Sequence, residues 1–313
     1  MKSYGNIFAG IVGHDNLAQA LKRAAKGKQE RPGVKGFLEQ SEKELDRLRR
    51  ELVDGSYRPG PFRQFHICDP KPRLIRCADF RDRIVHHAVC MRIAPLIERS
   101  LIFHNYACRQ TKGSHRAVLA ARANSRRFAY WLRTDILHYY ENIDHDILLD
   151  QLFRLFREAK LKELLRMIVD HSPVGVRPGK GLPIGSLTSQ WFANLYLNSI
   201  DHWILQKMIP KAYLRYMDDF ALWSDSKDHL FAIAAELQYR LTTTLHLEQK
   251  RKATLVAPSS EGMPFLGYRI YPGMVRERAA RVRRRQTLLC RREQQFLRGD
   301  ISEMQLQASV RSM

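Results

Sequence analysis

Two adjacent carboxylates, Asp218 and Asp219, carry the clearest potential for chemistry in this sequence. They lie within Ala212-Tyr-Leu-Arg-Tyr-Met-Asp-Asp-Phe-Ala-Leu-Trp-Ser224, whose apolar and aromatic residues predict two strands joined by a turn at the acidic pair. An isolated pair of this kind is usually a solvated turn. Here apolar strands enclose it, and burying the charges is unfavourable unless a cation neutralises them. Magnesium prefers carboxylates and substrate phosphates, and two such ions ~3.5–4 Å apart support phosphoryl transfer.

A third carboxylate, Asp135, follows another predicted strand, from Phe128 to Thr134. A lone Asp at the end of a strand is usually a helix N-cap or a turn residue. Because Asp135 is far from Asp218 in the chain, only a sheet that pairs their strands could bring the two together. A strand-end Asp combined with an Asp-Asp turn is a much rarer pattern, and it predicts one site built from all three carboxylates.

These segments resemble the palm motifs of reverse transcriptases. The resemblance implies an α/β (α+β) fold, a right-hand polymerase with fingers, palm and a short thumb. It also implies that Asp135, Asp218 and Asp219 are catalytic and bind two Mg²⁺ ions. The implied activity is RNA-directed DNA synthesis, in which a template RNA and a primer direct the addition of dNTPs to a growing cDNA.

Two further motifs concern the incoming nucleotide. Tyr140 stands five positions after Asp135, where reverse transcriptases carry a bulky aromatic residue that blocks the 2′-hydroxyl of a ribonucleotide. Taken alone, this tyrosine could equally be a core aromatic. A Pro-rich basic strand-turn-strand resembles the fingers hairpin of the family, which implies that Lys71 and Arg73 contact the triphosphate. By itself this segment is an ordinary basic turn, and Arg76 is a close competitor for the role.

A glycine-bearing turn before a predicted helix distinguishes branches of the family. Most retroviral and group II intron enzymes carry Gln-Gly and Ser-Pro in this motif, whereas this chain has Ile184-Gly185 and Ser189-Gln190. That pattern resembles the reverse transcriptases of diversity-generating retroelements, and the similarity extends over the whole chain. It implies that Ile184 and Gln190 contact the nucleotide, that synthesis is error-prone at template adenines, and that a small basic oligomeric accessory protein is a partner. The side chains of Ser186, Thr188 and Ser189 are expected to satisfy free N–H groups at the start of the helix that follows.

Two later motifs complete the resemblance. The primer-grip strand of the family resembles four residues of this chain, Phe265, Leu266, Gly267 and Tyr268. A glycine there permits close approach of the backbone to the primer end. A Lys-rich segment resembles the motif whose lysine protonates the leaving pyrophosphate. Both Lys250 and Lys252 fit its register, and a solvated charge run is an equally good interpretation of either.

Composition indicates the class of partner. Lys and Arg number 53 against 32 Asp and Glu, a formal net charge of +21, which favours a polyanion because cationic side chains neutralise phosphates and release counterions. No apolar run approaches the ~18 residues of a membrane span. The five cysteines are scattered and never in Cys-x-x-Cys spacing, as in reduced cytosolic proteins. The sequence therefore predicts a cytoplasmic nucleic-acid-binding protein without a membrane partner.

The elements that must position these motifs divide the chain into three parts. Residues 1–55 are predicted to be an N-terminal helical extension of the fingers, 56–270 the fingers and palm, and 271–313 a short basic thumb. The first part is expected to contain two helices, one ended by Gly27 and one that follows Pro32 and continues to Asp54.

The thumb is expected to be an Arg-rich helical segment that begins after Tyr271 and lies along the product duplex. Its arginines include Arg276 and Arg278.

Two other interpretations fit part of these observations. Another prokaryotic reverse transcriptase, of group II intron or phage-defence type, would share the chemistry, but the Ile-Gly and Ser-Gln pattern disfavours it. A non-catalytic RNA-binding protein on a polymerase fold would keep the charge, yet it would not need all three aspartates and Tyr140.

Overall fold

The computed structural model describes residues 3–68, 72–171 and 178–311. The α-helices in these ranges are α1 (Phe8–Ile11), α2 (His14–Ala25), α3 (Pro32–Glu39), α4 (Ser41–Asp54), α5 (Phe80–Ser100), α6 (Ser114–Arg127), α7 (Tyr139–Asn142), α8 (His145–Leu155), α9 (Ala159–Asp170), α10 (Leu187–Tyr196), α11 (Asn198–Trp203), α12 (Lys227–Leu245), α13 (Ala279–Leu297) and α14 (Glu303–Arg311). The β-strands are β1 (Arg63–Cys68), β2 (Pro72–Cys77), β3 (Tyr130–Thr134), β4 (Ala212–Tyr216), β5 (Asp219–Ser224), β6 (Leu255–Pro258), β7 (Met263–Phe265), β8 (Tyr268–Tyr271) and β9 (Met274–Glu277). None of these helices combines the length and apolar character needed to cross a membrane.

A four-stranded antiparallel sheet, in the order β4-β5-β3-β6, carries the acidic residues. Its central strands are apolar along most of their length because both faces of the sheet are covered. Leu132, Phe220 and Leu222 belong to the larger hydrophobic core, on the face against which α12 packs. Trp131 and Trp223, which alternate with them, belong to a second core that includes α6.

Two smaller sheets flank this one in the chain. β1 and β2 form an antiparallel hairpin, and β7, β8 and β9 form a three-stranded antiparallel sheet. The hairpin precedes α5, the longest helix in the described ranges, whereas the three-stranded sheet leads into α13.

The N-terminal helices differ in part from the prediction. The first predicted helix is confirmed as α2, but the second is wrong because the chain forms α3 and α4 with a break at Gln40, where φ is −120°. Gly33 and Gly36 lower the helix propensity of α3. Glu42 and Glu44 in the first turn of α4 favour a new helix start, since carboxylates interact well with the positive end of the helix dipole.

Two predictions about the C-terminal part are also wrong. The expected primer-grip strand is interrupted by a turn. Phe265 ends β7 and Tyr268 begins β8, while Leu266 and Gly267 between them have φ values of 47° and 85° and cannot continue a strand. Arg276 lies in β9 rather than in a helix, since the chain reverses at Gly273 and β9 pairs with β8. The helical segment begins only at Ala279, and α13 and α14 bury none of their residues.

Candidate active site

The acidic turn is the two-residue loop of the β4–β5 hairpin. Tyr216 pairs with Asp219, which leaves Met217 and Asp218 at the tip. Met217 has φ 55°, a left-handed conformation that costs a non-glycine residue about 1–3 kcal/mol. Arg215 stabilises this conformation, because its Nη1 donates a hydrogen bond to the carbonyl oxygen of Met217 at 2.8 Å.

Arg215 is anchored by an ion pair with Asp201 of α11, and both side chains are 0% exposed. Its Nε and Nη2 donate to Asp201 Oδ1 and Oδ2 at 2.7 and 2.5 Å, and the Tyr213 hydroxyl donates to Oδ1 at 2.6 Å. Buried charges are tolerated when they are paired and hydrogen-bonded in this way. Sequence reasoning missed this pair, although an Arg at the centre of an apolar strand was an available signal.

The pairing of β3 with β5 brings Asp135 to the acidic turn, since Thr134 stands opposite Phe220. The carboxyl groups of Asp135 and Asp218 lie close enough for each negative charge to act on the other. Burial is the largest cause that raises the pKa of Asp218 to about 7, and the negative charges of Asp135 and Asp219 are the next largest. Two carboxyl groups that repel each other in this way favour the binding of a cation between them.

Asp219 has a different partner. Arg133, two positions before Asp135, donates from Nε and Nη2 to Asp219 Oδ1 at 3.1 and 2.5 Å. Burial raises the pKa of Asp219, and the positive charge of Arg133 opposes that rise. The structure therefore brings the three predicted carboxylates into one neighbourhood and pairs one of them, Asp219, with a guanidinium.

The donor set fits magnesium. Asp135 and Asp218 offer only oxygen ligands, and Mg²⁺ characteristically uses one or two carboxylates and completes its shell with water and substrate phosphates. Within residues 3–68, 72–171 and 178–311, no group of three or more His, Cys, Asp and Glu side chains could hold a metal ion alone. Asp135 and Asp218 would therefore hold the ion, and Arg133 competes for Asp219 through its Oδ1.

Two neighbouring tyrosines occupy different environments. The buried Tyr139 donates from its hydroxyl to the carbonyl oxygen of Ala193 at 2.5 Å. The half-buried Tyr140 extends to the acidic turn, where its hydroxyl lies 3.8 Å from Met217 Sδ. The core-aromatic interpretation thus describes Tyr139, whereas Tyr140 lies beside the carboxylates.

The turn before α10 lies against the β1–β2 hairpin. Gly185 has φ 106°, and a Cβ at this position would be 3.4 Å from Ile75 Cγ2. Ile184 and Gln190, the other nucleotide-binding candidates of this segment, are both half-buried. The contact joins the segment that carries Ile184 to the hairpin predicted to hold the triphosphate.

One of the three side chains predicted to satisfy the free N–H groups of α10, that of Ser186, does not do so. Ser186 is the N-cap residue of α10, but its side chain makes no capping hydrogen bond. Its Oγ lies instead 3.1 Å from His86 Nδ1 and 2.9 Å from Thr188 Oγ1. Burial lowers the pKa of His86 to about 4. The imidazole is therefore neutral and can accept a hydrogen bond from the Ser186 hydroxyl. These bonds tie the start of α10 to α5.

The predicted triphosphate contacts lie in the β1–β2 hairpin. Lys71 is outside the described residues, and Arg73 belongs to β2 but its side chain is also outside them. The competing Arg76 has a buried Nε without a hydrogen-bond partner in the described structure. The roles of Lys71 and Arg73 therefore stay predictions.

The two candidate lysines differ in position. The backbone N–H of Lys250 donates to the carbonyl oxygen of Asp135 at 2.8 Å, and its charge acts on Asp219. Lys252 lies in the exposed 3₁₀ turn Arg251–Ala253. The structure thus places Lys250 beside the carboxylates and leaves Lys252 at the surface.

The turn that follows the buried Phe265 is fixed to the start of α13. Arg278 donates its backbone N–H to the carbonyl oxygen of Gly267 at 3.1 Å. The guanidinium of Arg281 lies over the ring of Tyr268, 4.5 Å from its centroid. A Cβ at Gly267 would be 3.2 Å from Arg281 Nη1, so the glycine permits this close packing.

Residues 68–270 match the protein family described as reverse transcriptase (RNA-dependent DNA polymerase). The chain belongs to this family. The matched region contains the three aspartates, Tyr140 and both candidate lysines. Reverse transcriptases generally use divalent metal ions, template RNA and nucleotide substrates, and the chemistry of the carboxylate pair agrees with that use.

Individual relatives of this reverse transcriptase are distant. Protein YkfC of Escherichia coli (strain K12) is 25% identical over 270 residues, which cover 72% of this chain and 71% of YkfC. The group II intron-encoded protein LtrA of Lactococcus lactis subsp. cremoris is 21% identical over 311 residues, covering 76% of this chain and 52% of LtrA. This chain therefore spans only about half the length of LtrA.

Among solved structures, apo telomerase from Candida Tropicalis aligns with a TM-score of 0.51 and 12% identity, over 70% of this chain and 49% of that chain. The likeness concerns the fold, which is that of a right-hand polymerase. The predictions of fold and of reverse transcriptase class are confirmed. The narrower assignment to diversity-generating retroelements stays a prediction.

Proposed function

We propose that this protein is an RNA-directed DNA polymerase that makes cDNA by two-metal nucleotidyl transfer. The observation that carries the proposal is the proximity of the Asp135 and Asp218 carboxyl groups, at the ends of two paired strands inside the matched family region. A protein that only bound RNA would have no reason to hold two carboxyl groups together at the cost of a raised pKa.

In this proposal each side chain has a defined task. Asp135 and Asp218 bind the metal ions, and Asp219 completes the site. When bound, Mg²⁺ neutralises the developing charge, activates the primer 3′-oxygen and stabilises the leaving oxygen. Tyr140 excludes the 2′-hydroxyl of a ribonucleotide, and Lys250 holds the proton destined for the pyrophosphate.

The remaining assignments concern the substrates and the polymerase subdomains. Lys71 and Arg73 would bind the triphosphate, and Phe265 to Tyr268 would support the primer end. Residues 1–55 extend the fingers, 56–270 form the fingers and palm, and 271–313 form a short basic thumb. The protein is proposed to work in the cytoplasm, where template RNA and dNTPs are available.

Ile184 supports the narrower proposal of a mutagenic retroelement enzyme with a small basic oligomeric accessory protein. An isoleucine cannot hydrogen-bond the incoming nucleotide as a glutamine can. Losing one such contact is worth ~1 kcal/mol of discrimination, up to about tenfold. Replacing Ile184 by Gln should therefore lower misincorporation at template adenines, whereas an unchanged error spectrum would contradict the idea.

The primary test is dNTP incorporation on a primed RNA template with Mg²⁺, comparing wild type with Asp218→Ala. The exposed Asp228 of α12 provides the matched control, Asp228→Ala. Loss of incorporation in Asp218→Ala alone supports the polymerase. Equal incorporation by all three proteins contradicts the proposed site.

The sequence of the cDNA separates the two polymerase subtypes. Errors concentrated at template adenines support the retroelement type. Evenly low errors favour a group II intron type, a possibility supported by the similarity to LtrA. Absence of incorporation even with the accessory protein and its RNA would favour the RNA-binding alternative.

A further inference from the structure

Arg133 is the cation paired with Asp219, one of the three neighbouring carboxylates of the acidic site. We propose that Arg133 is a positioning residue for metal binding: it binds Asp219 Oδ1 in the metal-free protein and competes with a divalent cation for that carboxylate. Arg133 thereby sets the metal concentration that the enzyme requires. The inference rests on the proposed two-metal function and deepens it.

The geometry of the pair supports a specific contact. Both Nε and Nη2 of Arg133 donate to one oxygen, Asp219 Oδ1, at 3.1 and 2.5 Å. The side chains are only 18% and 21% exposed, so solvent screens the interaction less than at a free surface. Arg133 lies in β3, two positions before Asp135, which follows the end of the strand directly. The guanidinium therefore belongs to the strand that leads to Asp135 and binds Asp219 from there.

The charges around the site turn this contact into a competition. Asp219 interacts with Arg133 and Lys250 as cations and with Asp135 as an anion. Before metal binds, Arg133 neutralises one of the crowded carboxylates. Once a divalent cation is present, the same guanidinium becomes a neighbouring like charge and opposes it. Metal binding alone is thus kept weak, and the phosphates of primer and nucleotide supply the additional negative charge that favours it.

Binding of Mn²⁺ to the protein without nucleic acid tests this proposal, with free Mn²⁺ measured by electron paramagnetic resonance. Arg133→Gln removes the positive charge but keeps an amide donor of similar reach. It is expected to tighten Mn²⁺ binding by about tenfold, the size of the effect of one adjacent opposite charge on a partly buried carboxylate. Arg133→Lys keeps the charge and should bind Mn²⁺ like wild type within about threefold.

Two further variants are needed as controls. Arg126→Gln makes the same replacement at an exposed arginine of α6 and should leave Mn²⁺ binding unchanged. Arg133→Gln combined with Asp219→Asn removes both members of the pair and should lose the tightening seen in Arg133→Gln, because the freed carboxylate is no longer present. Circular dichroism of each variant establishes that the protein is folded.

The Mg²⁺ concentration for half-maximal dNTP incorporation provides a second readout. It should fall in Arg133→Gln, whereas a merely structural role for Arg133 would lower kcat without changing this concentration.

Unchanged or weaker Mn²⁺ binding in folded Arg133→Gln overturns the proposal, and so does binding that is undetectable in every variant. The binding experiment contains no template, primer or dNTP. A failure of the polymerase proposal, seen as absent incorporation, is therefore distinguishable from a failure of the role of Arg133.

Discussion

At the scale of single residues, two arginines fix the acidic turn by different means. Arg215 binds the backbone of Met217 from inside the core, and Arg133 binds the Asp219 carboxylate from the neighbouring strand. The first interaction sets where the turn lies, and the second sets where one of its carboxylates points. Stability and metal binding should therefore respond separately to changes at these two sites.

Removal of the buried partner of Arg215 is expected to destabilise the protein strongly. Asp201→Ala leaves a fully buried guanidinium without its counterion, which costs about 3–5 kcal/mol. The matched control is Asp150→Ala, which breaks the exposed ion pair with Arg154 and should cost at most ~1 kcal/mol. Urea unfolding measures both changes, and equal losses would contradict the importance of burial.

The raised pKa of Asp218 predicts a pH dependence of stability in the absence of divalent cations. This pKa is about 7 in the folded protein against an ordinary value of 3.8. Between these values the folded state binds more protons than the unfolded chain, so stability falls as pH rises from 3.8 to about 7.

Asp218→Asn should remove this dependence. Calorimetry with a chelator measures the Tm of both proteins. The difference, Tm of the variant minus Tm of wild type, is expected to increase from pH 4.5 to pH 7.5, about the window given by the raised pKa. Parallel Tm curves for the two proteins would show that Asp218 ionises normally in the folded state.

Tyr140 should determine the choice between deoxyribonucleotides and ribonucleotides. Tyr140→Ala opens the space beside Met217 and is expected to raise relative ribonucleotide incorporation by about tenfold or more. Tyr140→Phe keeps the ring and should retain the discrimination of wild type. Primer extension with each triphosphate measures the ratio, and a Phe variant that behaves like the Ala variant would assign selectivity to the hydroxyl group.

The sequence could indicate Asp135 and Asp218 because each stands at the end of an apolar strand, a local pattern. The roles of Arg133 and Arg215 depend on partners distant in the chain, Asp219 and Asp201, and no local periodicity reveals such pairings. The Ser186 cap failed for the same reason, since its hydroxyl interacts with a histidine of α5.

At the scale of elements, the three-stranded sheet depends on a glycine before β7. Gly262 has φ 75°, and a Cβ there would lie 2.6 Å from Cε1 of Tyr271 in β8. Gly273 has a similar φ of 84° but nothing within 4 Å of the corresponding position. A comparison of alanine substitutions at the two glycines therefore separates the effect of backbone strain from the effect of steric conflict.

Gly262→Ala should destabilise the protein by about 1–3 kcal/mol more than Gly273→Ala, because only the first forces an aromatic ring to move. Urea unfolding of both variants measures the difference. Equal destabilisation would mean that Tyr271 moves without cost.

Sequence patterns located long helices and central strands better than turns. α2 has an apolar face that covers a core, so its periodicity is strong. The break at Gln40 and the turn at Leu266 depend on one or two residues whose backbone angles are determined by neighbouring elements. Hydrophobic periodicity does not reveal reversals of only one or two residues.

At the scale of the whole molecule, the charge of +21 should make RNA binding strongly dependent on salt. Arg283 and Arg291 are exposed on α13, which buries no residue of its own. Changing both to Gln should reduce the slope of log affinity against log salt for an RNA–DNA duplex by about 2, close to one unit for each lost phosphate contact. Fluorescence anisotropy over a salt series measures the slope.

The control for this experiment is Arg166→Gln, an exposed arginine of α9 outside the proposed thumb. It should leave the slope unchanged. A slope that falls equally in both variants would indicate diffuse attraction by the whole surface rather than a thumb that follows the duplex.

The strand order of the main sheet has a consequence for folding of the nascent chain on the ribosome. β3 lies between β5 and β6, and both partners are translated long after it. Until β5 emerges, the nascent chain carries Trp131 and Leu132 on a strand with no neighbour to pair with. Asp201 likewise precedes Arg215, the cation that permits its burial. The polymerase site is therefore expected to assemble late in translation, and a stalled chain that ends before β5 would expose an apolar strand to chaperones.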